Sequence, residues 1–132
     1  MSSYTQINLN DVEDQAPKFG MPDGMEARFA REALGLEKSG AGFEKLAPGV
    51  RVPFGHTHRE QEELYVVVRG SARVKVGDEV LELSEMDALR VAPGVMRAFE
   101  GGPEGVEYVV FGAPQVDDPA AEAEMQPGWW QD

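Results

Sequence analysis

From Gly42 onward the apolar and polar residues fall into short runs, either alternating or fully apolar, and the runs are separated by glycine, proline and acidic turns. A period of two with this punctuation is the pattern of strands. Phe43-Glu-Lys-Leu46 reads as a short strand stopped by Pro48-Gly49, and Val50-Arg-Val52 leads through Pro53 into a loop that carries His56 and His58. Leu64 to Arg69 is apolar on both faces, which predicts a strand covered on each side. Ser71 to Val76 alternates Arg73 and Lys75 against Ala72, Val74 and Val76, and Gly70 between the two runs fits a tight turn or a bulge. Gly77-Asp78 stands in the two-residue position of a hairpin, and Glu79 to Leu83 returns. Ala88–Val91, Met96–Phe99 and Val106–Phe111 complete the series, with a turn expected at Gly101-Gly102-Pro103.

Before this region the pattern is weaker. Tyr4 to Leu9 alternates and fits either a strand added to a sheet or a frayed terminus. Lys18 to Gly24 is loop-like. Glu26 to Ala30 reads as strand and Arg31 to Leu34 as one helical turn ended by Gly35. The division is therefore an arm and loop over 1–25, an all-β sandwich or barrel over 26–113, and an acidic tail over 114–132. The tail has the composition of a linker except for Trp129-Trp130. Each indole can bury ~150–250 Å². Docking of the tail on the barrel or on a neighbouring subunit is therefore expected over a free end.

Composition narrows the possibilities. At 132 residues the chain is one domain, and its 42% hydrophobic content is ordinary for a globular protein. Twenty-four acidic against twelve basic residues give a formal charge of −12, the wrong sign for a nucleic-acid backbone or an anionic membrane surface. There is no cysteine, which excludes disulfides and thiolate metal ligands. No apolar run is long enough for a membrane span, and the polar N-terminus lacks the features of a signal peptide, so a cytoplasmic location is the expectation.

The chemistry concentrates in His56-Thr-His58-Arg-Glu-Gln-Glu-Glu63, which holds both histidines of the chain. Two imidazoles two residues apart in an extended segment face the same way, and a nearby carboxylate completes a facial triad suited to a divalent first-row metal with open positions. The spacing also resembles the first motif of the cupins. His56 and His58 are followed by Glu63 after four residues and Gly70 after six more, with the leading glycine, Gly49, one place early. The resemblance implies a double-stranded β-helix, or jelly-roll barrel, pairing as a homodimer through the outer face that carries Leu64, Val66 and Val68. It also implies a metal (Fe, Mn, Ni or Zn) at His56, His58 and Glu63.

The second cupin motif is degenerate. Aligned on Gly94, its positions fall on Met86, Ala92, Gly94, Arg97 and Gly101, so the third metal-binding histidine of the family is Arg97 here. Guanidinium has only donors and stays charged, so Arg97 cannot ligate a metal. Two outcomes compete. Either the triad holds a metal while Arg97 turns aside or binds a substrate carboxylate, or Arg97 replaces the cation and pairs with Glu63 or Glu62. Alternation puts Tyr65 and Val67 on the side of Glu63, and Phe99 on the side of Arg97. With Phe54 they outline an apolar pocket floored by arginine. The sequence thus points to binding of a small anionic molecule at a degenerate metal site. The alternative is a metal-dependent enzyme of dioxygenase or isomerase type.

Overall fold

Two long strands, β4 (Glu62–Val76) and β7 (Arg97–Ala113), pair antiparallel over most of their lengths and carry the rest of the sheet. They belong to a computed structural model of the protein that describes residues 3–132. On one side of β7 lie β2 (Gly40–Leu46) and then β1 (Met25–Phe29). β7 also meets β3 (Phe54–His58), which pairs in turn with β8 (Ala123–Pro127). β4 adds β5 (Glu79–Leu83) along one half and β6 (Ala88–Val91) along the other. The antiparallel sheet curls on itself as the all-β jelly-roll barrel that the sequence predicts.

Of the tight turn or bulge that the sequence allows at Gly70, the structure has the bulge, within β4, and Gly101-Gly102-Pro103, which reads as a turn, lies within β7. The ladder slips between Val67 and Arg69 and again between Gly70 and Ala72, so each long strand bends through bulges instead of ending. Gly70 has φ +77°, and a Cβ there would stand 2.1 Å from the Gly105 carbonyl oxygen, so the close approach of the two strands requires glycine. Pro103 falls between Gly101 and Val106, a stretch with no partner on β4, so its missing N–H removes no ladder bond. The His segment is strand, not loop.

The inward side chains form one core that includes Ala27, Leu46, Val67, Val74 and Val91. Tyr65, Phe99 and Tyr108 pack at its centre, with the Phe99 and Tyr108 rings stacked 4.3 Å apart. Outside, Leu64 and Val68 are 40% and 37% exposed, so among the described residues the outer face of β4 is left partly open. The helical turn α1 (Arg31–Leu34) ends at Gly35 in the left-handed conformation, which supplies its cap. Among the described residues Tyr4 to Leu9 forms no strand. The arm is held instead by Asp14, whose carboxylate accepts from the backbone N–H groups of Ala16 (3.0 Å) and Ala27 (2.9 Å).

The tail returns to the barrel through a short helical turn, α2 (Pro119–Glu122), and then β8. Trp130 is 6% exposed, and the Arg51 guanidinium lies 3.9 Å from its ring centre. Asp132 pairs with Arg51 at 2.8 Å and Arg73 at 3.1 Å. Gly55 makes room for Trp129, because a Cβ there would come within 2.6 Å of the indole. Removing residues 126–132 is expected to lower the melting temperature by several degrees and shift tryptophan emission, since a buried indole and its cation contacts are lost. A deletion with unchanged melting would show that these contacts add nothing.

Candidate functional site

Three strands bring the site together. β3 turns His56 and His58 toward the barrel interior, β4 turns Glu63 toward them, and β7 places Arg97 directly opposite His56 in the antiparallel register. Glu63 Oε1 is the common point. It lies 3.4 Å from His56 Nε2, 3.2 Å from His58 Nε2 and 3.6 Å from Arg97 Nη2, and it accepts the Tyr65 hydroxyl at 2.6 Å.

Arg97 is completely buried. Its Nη1 donates to the His56 carbonyl at 3.3 Å, while Nε and Nη2, the two donors along one edge of the guanidinium, have no hydrogen-bond partner among the described residues. Arg97 pairs with Glu63, one of the two partners the sequence allowed, but as an ion pair at 3.6 Å without a hydrogen bond. Glu62 is excluded as a partner because it alternates to the outer face, where it meets Arg90 at 3.9 Å. A buried guanidinium with free donors is costly, about 1–3 kcal/mol or more for each group left unmade, so this edge calls for an acceptor.

The electrostatics set the protonation states. Burial pushes the His56 imidazole below its usual range, against the contact with Glu63, and the Arg97 charge adds to the lowering; the shift favours the neutral ring, the form that ligates metal. Burial raises the Glu63 carboxyl, but the contacts with His56, His58 and Tyr65 outweigh it and hold the group well below the ordinary carboxylate range. His58 Nδ1 is buried without a hydrogen bond, 3.8 Å from Glu122 Oε1. Glu122 is itself fixed by the backbone N–H groups of Glu60 and Gln61, both at 2.8 Å, which tie the turn after His58 to α2.

The donor atoms of His56, His58 and Glu63 lie within 4.8 Å of one another. Two imidazole nitrogens and one ionised carboxylate converging in a half-buried site fit a divalent metal, so the three residues could form a metal centre. Arg97 beside them cannot ligate and opposes the cation.

The triad opens on a cavity of about 400 Å³. Phe54, Tyr65 and Phe99 line it with Arg97, as the sequence outlines. Val67 does not. It points inward but is fully buried in the packed part of the barrel, in the core cluster with Val74 and Tyr108. Sequence reasoning missed Glu44 and Tyr108 on the cavity wall, and Met125 and Ala123 from the tail at its rim. Glu44 belongs to a segment whose alternation, Phe43 and Lys45 against Glu44 and Leu46, does not reveal which set faces inward. The rim residues depend on β8, for which the sequence carries no strand signal.

A family described as "Cupin domain" matches residues 42–111. The chain is similar in structure to a cupin protein from Bacteroides fragilis (20% identity, TM-score 0.71), covering 89% of this chain and 90% of that one. It is also similar to a sugar phosphate isomerase of the cupin superfamily from Silicibacter pomeroyi (17% identity, TM-score 0.70), covering 93% and 92%. A third likeness is to oxalate decarboxylase from Bacillus subtilis (19% identity, TM-score 0.75), where 94% of this chain corresponds to 32% of the larger protein. At these identities the likenesses show the fold alone. No curated protein matches the sequence. No helix among the described residues is long and apolar enough to cross a membrane.

Proposed function

This chain belongs to the cupin family, and we propose that it binds a small anionic molecule at the triad end of its barrel cavity. The observation that carries this reading is Arg97, a fully buried cation beside the triad whose Nε and Nη2 find no acceptor among the described residues. Glu63 balances that charge only at 3.6 Å. A divalent ion on His56, His58 and Glu63 would leave the site strongly cationic, and an anion would then be its natural counterpart. Much of the remaining wall, including Phe54, Phe99, Val110 and Met25, is apolar, and the cavity limits the ligand to a small body.

Titration calorimetry with oxalate, pyruvate and succinate tests the reading. At least one should bind, and Arg97→Gln, which keeps a polar side chain but removes the charge, should weaken it by about tenfold or more. No binding to the folded wild-type protein, or equal binding to Arg97→Gln, removes the anionic-ligand reading.

A second reading, a metal-dependent enzyme of dioxygenase or isomerase type, is favoured by the convergence of the three donors. Iron, manganese, nickel and zinc all suit such a set. Bound there, the metal would supply Lewis-acid or oxygen-activating chemistry.

A further inference from the structure

We infer that Glu44 is the proton-exchanging group of this cavity and that it acts on a small 2-oxo acid held by its carboxylate at the Arg97 end, an inference that rests on the anionic-ligand reading above. Glu44 on β2 stands opposite Tyr108 on β7, and the Tyr108 hydroxyl donates to Glu44 Oε2. That is the only hydrogen bond of the Glu44 side chain among the described residues, and it is in no ion pair there, so Oε1 is free. Glu63, the other carboxylate on the wall, is occupied by Tyr65 and by both histidines.

The groups facing Glu44 make it an unusual carboxyl. β1 presents apolar Met25 and Ala27. β7 presents Tyr108 and Val110; on β4 the register lines Val67 up behind Tyr108, with Tyr65 beside the Tyr108 ring and the Glu63 carboxylate near enough for its charge to act on Glu44. The charged or titratable groups farther round the cavity are His56, His58 and Arg97 at the triad end and Arg31 at the rim. Among the described residues no cation touches Glu44. An unpaired carboxylate in such a place costs free energy, and nothing in the strand pairing requires one. Burial pushes its carboxyl up to about 7, and the charge of Glu63 adds to this against the Tyr108 hydrogen bond. Tyr108 stays a neutral donor, its phenol pushed up by burial and by Glu44. The cavity therefore holds two carboxyls driven in opposite directions, one ionised throughout and one that gains and loses its proton near neutrality.

The step balances without a further reagent. Ionised Glu44 takes a proton from the carbon next to the ligand carbonyl. The C–H electron pair becomes the enolate double bond, and the carbonyl π pair moves onto oxygen, at the cationic end of the cavity. Returning the proton restores the acid. A 2-oxo acid fits because its carboxylate suits the Arg97 end and its carbonyl makes the neighbouring C–H acidic enough for a carboxyl base.

The test follows the methyl protons of pyruvate by NMR in deuterium oxide at near-neutral pD, with the protein as purified, while calorimetry follows pyruvate binding. The wild type should exchange the methyl protons about a hundredfold faster than buffer. Glu44→Gln should fall to the buffer rate with pyruvate affinity within about threefold of wild type. Binding without exchange, exchange that survives Glu44→Gln, or binding of oxalate or succinate but not pyruvate overturns this inference and leaves the ligand reading intact. Failure of all three acids to bind removes both. Should Glu44→Gln not fold, infrared spectra of the wild type decide. A protonated-carboxyl C=O band that titrates away near neutral pH is expected, and its absence overturns the assignment.

Discussion

Replacing Arg97 with His should raise the affinity for nickel, manganese or iron by about a hundredfold or more. Two changes act together. The register sets residue 97 directly across from His56, so an imidazole there reaches the same space as the other donors. The substitution also removes a guanidinium that lies 3.6 Å from the Glu63 oxygen any metal would share. At an effective dielectric near 20, a divalent ion and a unit charge 5–6 Å apart repel by ~6 kcal/mol, of which screening and relaxation leave a part. An added neutral donor contributes further. The variant also frees the His56 carbonyl, which loses its Nη1 partner, and this limits the gain in stability but not in metal affinity. Elemental mass spectrometry after loading, with titration calorimetry, measures the change, and His58→Ala in the same background should abolish it. Equal affinity in the wild type and Arg97→His would mean that residue 97 has no part in metal selection.

How much of this was legible depended on how local each signal is. Alternation and glycine punctuation are properties of a few neighbouring residues, and they located β1, β5 and β6 closely. The His-X-His spacing carried the triad for the same reason, since one strand and the start of the next position it. The sequence leaves turn and bulge open at Gly70 and reads Gly101–Pro103 as a turn, because a glycine that ends a strand and one that bends it look alike until the partner strand is known. Only the pairing of β4 with β7, with Gly70 against Gly105, shows that these glycines permit close approach. Val67 was misassigned because alternation tells the side of a strand and not the depth at which the barrel is filled. β8 lay furthest out of reach. Its residues read as linker, and it becomes a strand by pairing with β3, while Trp130 is held by Arg51 and Arg73, distant in sequence.

Glu44→Gln should make the protein more stable, and increasingly so as the pH rises. The Glu44 carboxyl is raised from an ordinary 4.5 to about 7 in the folded chain. Between those values the folded state holds a proton that the unfolded state has released, so stability falls as the pH rises through the window and the loss is complete above about pH 7. At ~1.4 kcal/mol per pH unit the loss is ~3 kcal/mol at most, and less because the carboxyl is open to the cavity on one side. The glutamine of the variant keeps an oxygen for the Tyr108 hydroxyl and has no proton to lose. The Glu63 carboxyl runs the other way. Its depressed position contributes stability that is present above the ordinary carboxyl range and lost as the pH falls below it. Because Glu63 is retained in both proteins, subtracting the variant from the wild type isolates Glu44. Urea unfolding of each at about pH 5 and about pH 8 reads the difference directly. A gap that widens toward the higher pH identifies Glu44 as a carboxyl held protonated by the barrel. A gap that is flat with pH would mean that Glu44 ionises freely in the folded protein. In that case the cavity would have a carboxylate at neutral pH, and a strongly anionic ligand would be repelled from that wall.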